Sequence, residues 1–335
     1  MKCGFEGCEE KALFSSDFCW GHLENKERYR AQLADMVRRG EDLAGANLKK
    51  VVLKNASLEK ARFSGADLSQ ADMSGTHLFD SDLEGAELLG VNLSGCEMAN
   101  CNLKGADLTK AILINSRFWN ADLTNANLTE CDMNGADLWN ARLFNAKLWH
   151  ANFSDAKFLS IKSFSAGAKI FDNPRINETG FLSAEESYRD LKKYFLANGV
   201  YDDASWAAFK EKAMERLIFK KNMDLNYLPS LLMNILCGYG EKPYRIVLSA
   251  LLTILSFAFL YASFNTMESS IAPGYILKWG DYIYVSAITF TTVGYGDFIP
   301  RPFMSFRLFA ACEAFMGVFL TGLFIFTLAR KYSAR

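Results

Sequence analysis

From Leu43 to Phe158 a Leu, Phe or Met occupies every fifth position without a slip, twenty-four steps in all. The series runs through Leu48, Leu53, Leu58, Phe63, Leu68 and Met73 to Leu148, Phe153 and Phe158. Two residues before nearly every one lies a small side chain, as at Ala46, Ala56, Ala61, Ala66, Ala71, Thr76, Ser81 and Ala86; Glu41 is the ragged start. A period of five fits neither a helix nor a plain strand. It does fit a coil of four pentapeptides, each making one side of a square with two side chains turned inward and the rest turned to water. Six such coils at roughly 4.8 Å each predict a rod about 29 Å long. Cys96, Cys101 and Cys131 fall on the small inward position and read as core.

Beyond Phe158 the five-fold rhythm stops, and Asp172-Asn173-Pro174 reads as a turn. Ser183-Ala184-Glu185-Glu186 has the form of a capping box before a helix with Tyr188, Leu191 and Phe195 on one face, ending at Gly199. Asp203 can cap a second helix carrying Trp206, Phe209, Ala213 and Leu217, so the pair predicts an αα-hairpin. Residues 229–236 suit an interfacial helix on a membrane surface. Ile246 to Phe264 is charge-free and long enough to span a bilayer, and Leu308 to Leu328 is another span with one acid, Glu313. Between them Tyr282 to Phe290 is apolar but too short to cross, which predicts a re-entrant helix lining a polar cavity.

Composition sharpens this division. The chain has 335 residues, 50% hydrophobic, with 37 basic and 38 acidic side chains and a mean hydropathy of zero. That average hides a polar, repetitive region (41–160) and an apolar one (246–328). Near-neutral charge argues against a nucleic-acid binder working by phosphate neutralisation. Basic residues Lys210, Lys212, Arg216, Lys220, Lys221, Lys242 and Arg245 precede the first span, and Arg330, Lys331 and Arg335 follow the second. Only Lys278, Arg301 and Arg307 lie between, so the positive-inside rule predicts both termini cytoplasmic in a multi-pass protein of the cell (plasma or inner) membrane. The N-terminus opens with charges and no apolar segment, unlike a signal peptide, so the first region is expected to be cytosolic and reduced.

Cys3, Cys8, Cys19 and His22 read C-x4-C-x10-C-x2-H. Three thiolates and an imidazole suit tetrahedral zinc, and a closed set of four predicts a structural ion. The motif resembles small cytosolic zinc knuckles in general. His77 and His150 fall on outer positions of the repeat and are expected to be solvated. The repeat itself, seen as Ala66-Asp67-Leu68, Ala106-Asp107-Leu108, Ala121-Asp122-Leu123 and Ala136-Asp137-Leu138, resembles the pentapeptide-repeat family. That resemblance implies a right-handed quadrilateral β-helix. Some members mimic duplex DNA and bind topoisomerases, but residues 41–160 carry 16 acids against 11 bases, a weak field. A rigid interaction or spacer module, with an unidentified cytosolic protein as partner, fits better.

At the end of the short apolar helix the chain reads Thr289-Phe290-Thr291-Thr292-Val293-Gly294-Tyr295-Gly296-Asp297. A dehydrated potassium ion needs rings of carbonyl oxygens, and glycines at alternate positions permit the φ > 0 that turns successive carbonyls one way. The run, in its slot between two spans, resembles the filter of two-transmembrane potassium channels. The resemblance implies potassium ions held by Thr292, Val293, Gly294 and Tyr295, in a homotetramer embedded in a lipid bilayer. Gly296 and Asp297 support the filter, and the family's aromatic partner for the acid matches Tyr284. Ile288 stands where some relatives carry Glu. Gly317 matches the inner-helix hinge, although a small residue for helix packing would look the same. Glu313, an acid at membrane depth, either bonds behind the filter or lines the pathway.

The expected organisation is therefore a zinc knuckle and helix (1–40), a β-helix (41–160), a helical connector with an interfacial helix (161–242) and a two-transmembrane pore domain (243–335). The expected function is potassium-selective conduction modulated by the β-helix, the alternative being a membrane-tethered interaction module without conduction. No catalytic triad, phosphate loop or open metal site points to an enzyme. Seven residues follow Leu328, so a gating signal is expected through the N-terminal side.

Overall fold

Every pentapeptide of the repeat region before the last does the same thing. Its central residue and the small residue two before it turn inward: Leu48, Leu68, Ala66, Leu88 and Ala86 are all buried. Each repeat pairs in parallel with the residue twenty positions on, as Asp67 with Glu87 and Asp107 with Asn127, which is four pentapeptides per turn. Backbone bonds close the stack, with Leu48 N donating to Asp67 O at 2.8 Å and Asp67 N to Ala46 O at 3.0 Å. The corner residue two after the central one often takes a left-handed conformation, φ 66° at Gly45 and 53° at Asn55, which Gly and Asn adopt at low cost. The computed structural model describes residues 2–164, 178–272 and 274–333. The turn read at Asp172-Asn173-Pro174 lies outside them.

Inward polar groups are satisfied by the coil before. The Thr76, Ser81 and Ser116 hydroxyls donate to the carbonyls of Leu53, Leu58 and Leu93 at 2.7–3.0 Å. Cys96 and Cys101 do the same toward Met73 and Leu78. Burial pushes both thiols up to about 12, as core cysteines require. Outside, Asp–Asn pairs twenty residues apart form ladders, such as Asn127 to Asp107 and Asn152 to Asp132.

A stack of coils ends in bare apolar faces and unpaired backbone, so both ends need covers. Helix α1 (Lys26–Arg38) buries Tyr29, Leu33, Met36 and Val37 in the same core cluster as Leu43 and Leu48. At the other end α2 (Glu178–Ala197) and α3 (Tyr201–Lys221) add Tyr188, Leu191, Phe195, Ala204 and Met214 to that cluster. The hairpin is a cap on the rod as well as a connector. Its helices are joined by Arg189 and Lys192, both paired with Glu211.

Three local expectations are corrected here. Phe158 is 62% exposed, and Leu159 takes the inward place; the coil ends one repeat earlier because the chain leaves it into a short 3-10 turn at Ile161–Phe164. Ser183 is no cap, since α2 starts at Glu178 and places Ser183 inside the helix. Asp203 likewise lies in the first turn of α3, which opens at Tyr201, and meets the helix dipole rather than capping it.

The chain divides into two compact units, Met1–Ile218 and Phe219–Arg335. The stretch read as a connector, 161–242, is thus split between them. Beyond the last residues of α3, the second unit continues with α4 (Tyr227–Cys237), which ends at left-handed Gly238, φ 56°. There follow α5 (Pro243–Phe264), β1 (Met267–Ser269), α6 (Trp279–Phe290), β2 (Phe298–Pro300) and α7 (Met304–Ser333). Strands β1 and β2 pair antiparallel, Glu268 opposite Ile299. Among the described residues, two helices are long and apolar enough to cross a membrane, Pro243–Phe264 and Met304–Ala329. Helix α6 packs against both.

Candidate functional site

The Thr289–Asp297 run leaves the end of α6 without a gap. Val293 N donates to Ile288 O at 3.0 Å, which seats the start of the 292–297 run on the last turn of the helix. Thr292, Gly294 and Gly296 take φ of 57°, 49° and 79°, whereas Val293 and Tyr295 do not enter the left-handed region. Alternation of this kind turns successive backbone groups to a common side. The glycines were legible as positive-φ positions; Thr292 was not, because a β-branched residue rarely goes there.

Hydrogen bonds reach the 292–297 run from two directions. Tyr284 Oη donates to Asp297 Oδ2 at 2.9 Å, the contact expected from the motif. From the loop after β1, Ser270 donates its hydroxyl to the Gly296 carbonyl and its N–H to Asp297 O at 2.9 Å. No sequence signal marked Ser270. Lys278 N donates to Asp281 Oδ2 at 2.7 Å, which fixes where α6 begins.

Two residues of α7 complete the surroundings. A Cβ on Gly317 would lie 1.8 Å from the Phe290 carbonyl oxygen, so this glycine is where α7 crosses the end of α6 in direct backbone contact. The packing role is plain, and α7 runs on through it as one helix. Glu313 is fully buried, with its carboxyl against the hydroxyls of Tyr261 on α5 and Ser286 on α6. No motif marks those two partners in the sequence, although a Tyr and a Ser in apolar helices are a usable signal.

In the first unit Cys3, Cys8, Cys19 and His22 converge, with their ligand atoms all within 4.8 Å of one another. His22 Nδ1 lies 3.3 Å from Cys19 Sγ and 3.6 Å from Cys3 Sγ, and Cys8 Sγ lies 3.9 Å from Cys19 Sγ. Ligands on a tetrahedral zinc with bonds of about 2.0–2.3 Å sit roughly 3.5–3.8 Å apart, so the donor set fits. Phe5 stacks on the His22 ring at 4.0 Å, which orients the imidazole. The head is tied to the first coil by Asn47 Nδ2 on the Ala12 carbonyl at 2.7 Å and by Lys50 on Glu10. Of the two outward histidines, His77 stacks near Phe79, and His150 Nε2 lies 3.7 Å from Glu186.

Comparison with known proteins agrees with this division. Residues 42–158 match the family model described as pentapeptide repeats, and residues 248–334 match one described as ion channel. Among solved structures the chain is similar to the pentapeptide repeat protein Rfr23 from the cyanobacterium Cyanothece 51142, at 21% identity over 38% of this chain and 92% of that one, TM-score 0.26. It is similar to alr5209 from Nostoc Pcc 7120, at 25% identity over 40% and 91%, TM-score 0.21. It is also similar to HetL from Nostoc sp. Strain PCC 7120, at 29% identity over 40% and 70%, TM-score 0.16. No curated protein matches the sequence. The chain joins a pentapeptide-repeat segment at residues 42–158 to an ion-channel domain of the two-transmembrane type at residues 248–334.

Proposed function

We propose that the chain is the subunit of a homotetrameric, potassium-selective channel. The observation that carries this is the Thr292–Asp297 run, seated on a short helix between two apolar helices, with positive φ at alternate positions. Thr292, Val293, Gly294 and Tyr295 supply the carbonyls that replace the hydration shell of the ion. In the single chain Val293 is 52% and Tyr295 73% exposed, as suits one wall of a filter that other copies complete. Both termini face the cytoplasm, because the basic residues flank the two spans on their outer sides in sequence.

The zinc set is structural: four protein donors leave no open position, and the ion staples a head of few core residues onto the first coil. The β-helix is a cytosolic interaction module. It biases the gate only where its partner binds one pore state better than the other. Gly317 serves as a bending point in this scheme only if the backbone contact with Phe290 can open.

Flux from liposomes carrying the purified protein tests the central reading. Potassium should pass and sodium should not. Equal flux of both ions makes the pore non-selective. An assembled, inserted protein that passes neither ion overturns conduction and leaves a membrane-tethered interaction module.

A further inference from the structure

Glu313 lies in a network whose hydrogens can be counted. Its Oε2 meets the Tyr261 hydroxyl, and its Oε1 meets Ser286 Oγ. Ser286 Oγ also lies 2.8 Å from the backbone carbonyl oxygen of Ile254. These are three oxygen-to-oxygen contacts, and each needs one proton. Tyr261 owns one and Ser286 owns one; a backbone carbonyl and a carboxylate own none. With Glu313 ionised, one contact would set lone pair against lone pair in a fully buried site, and the charge would face hydroxyls rather than a basic side chain.

We propose that Glu313 is held as the neutral carboxylic acid and acts as the donor that completes a chain across three helices. Tyr261 donates to Oε2, the Glu313 O–H on Oε1 donates to Ser286, and Ser286 donates to the Ile254 carbonyl. The chain joins α5 at two points, α6 at one and α7 at one. It is a polar tie shared by all three helices; the cluster of Ala258, Tyr261, Met267, Tyr282 and Val285 beside it adds one hydroxyl contact, from Tyr282 Oη to Asn265 Oδ1 at 3.3 Å. Glu313 is thus a positioning residue: it touches no filter atom, and it fixes the helix on which the filter is seated. Of the two roles open from sequence, support behind the filter follows and an ionised pathway acid does not. The inference rests on the channel reading only for its effect on current.

Both tests use the full-length protein and neither needs conduction. Infrared spectra at neutral pH, wild type against Glu313→Gln, should show the carbonyl stretch of a protonated carboxyl in the wild type alone, shifted in heavy water. Absence of that band overturns the proposal. Glutamine reproduces the chain, its amide donating to Ser286 and its carbonyl accepting from Tyr261, whereas leucine breaks every contact. Glu313→Leu should lower the melting temperature of the detergent-solubilised assembly, and Glu313→Gln should restore it. A glutamine variant that melts as low as the leucine variant shows that the carboxyl is needed charged, which also overturns it. Failure of either test leaves the filter assignment untouched, and failure of potassium flux leaves the proton count untouched.

Discussion

The Tyr284 hydroxyl, midway along α6, donates to Asp297 Oδ2 at 2.9 Å, so the helix and the far end of the 292–297 run that follows it are bonded across thirteen positions of sequence. The segment between them has no strand ladder to hold it, and a loop held in alternating left-handed positions is strained backbone that its surroundings must over-determine. Ser270 adds a second hold from the opposite loop.

Tyr284→Phe removes the first hold while keeping the ring. A half-exposed bond to a carboxylate contributes about 1 kcal/mol, so the conducting state should lose stability by a factor of roughly five for each subunit that carries the change. Selectivity should remain, with open times shortened in single-channel records. Open times equal to wild type would mean that the bond does not restrain the filter.

Gly317→Ala separates packing from hinging. The added methyl would meet the Phe290 carbonyl at 1.8 Å, and overpacking of this kind costs about 1–3 kcal/mol. The assembly should melt lower and form in poorer yield. A glycine needed only for bending would instead leave melting unchanged and alter gating alone.

Purified protein should carry about one zinc per chain, lost in Cys19→Ser or His22→Ala because a closed tetrahedral set cannot spare a ligand. The ligands bind as thiolates and neutral imidazole, so zinc should leave as pH falls and not as it rises. Elemental analysis across a pH series checks both statements.

The cap on the rod should weaken in acid. Burial alone would raise the Glu211 carboxyl, but hydrogen bonds from Lys192 and Arg189 outweigh it and hold the group below its ordinary value of 4.5. A depressed carboxylate stabilises the fold above its unfolded pKa, and that stability is lost as pH falls through the folded one. Denaturation of the full-length protein should therefore show an acid-side loss below about 4.5, and Glu211→Gln should flatten it while lowering stability at neutral pH.

A truncation meant to isolate the pore should begin after Ile218, the unit boundary. The 219–335 tetramer should keep its selectivity and change its open probability. A cut at residue 180 leaves Tyr188, Leu191 and Phe195, all 0% exposed in the whole chain, without the core they cover. That protein should aggregate on size-exclusion chromatography. Unchanged opening in the shorter fragment would reduce the β-helix to a tether.

The β-helix was legible in the sequence because it is specified over short stretches. A coil needs only that every fifth residue and the small one two before it turn inward, and the left-handed glycines of the 292–297 run were legible as glycines. The Cys/His head was legible for a related reason, since few residue types bind soft metals. Tertiary structure alone decided what covers the rod, because α1 and the α2–α3 pair become caps only once there is an end to bury. It decided that Phe158 points out and Leu159 in, since the inward rule holds only while another coil follows. It decided the meeting of Tyr261, Ser286 and Glu313, and the crossing at Gly317, for each depends on how three helices are rotated about their axes. Periodicity tells which residues turn inward; it does not tell which of them will meet, because that is set by packing between segments far apart in the chain.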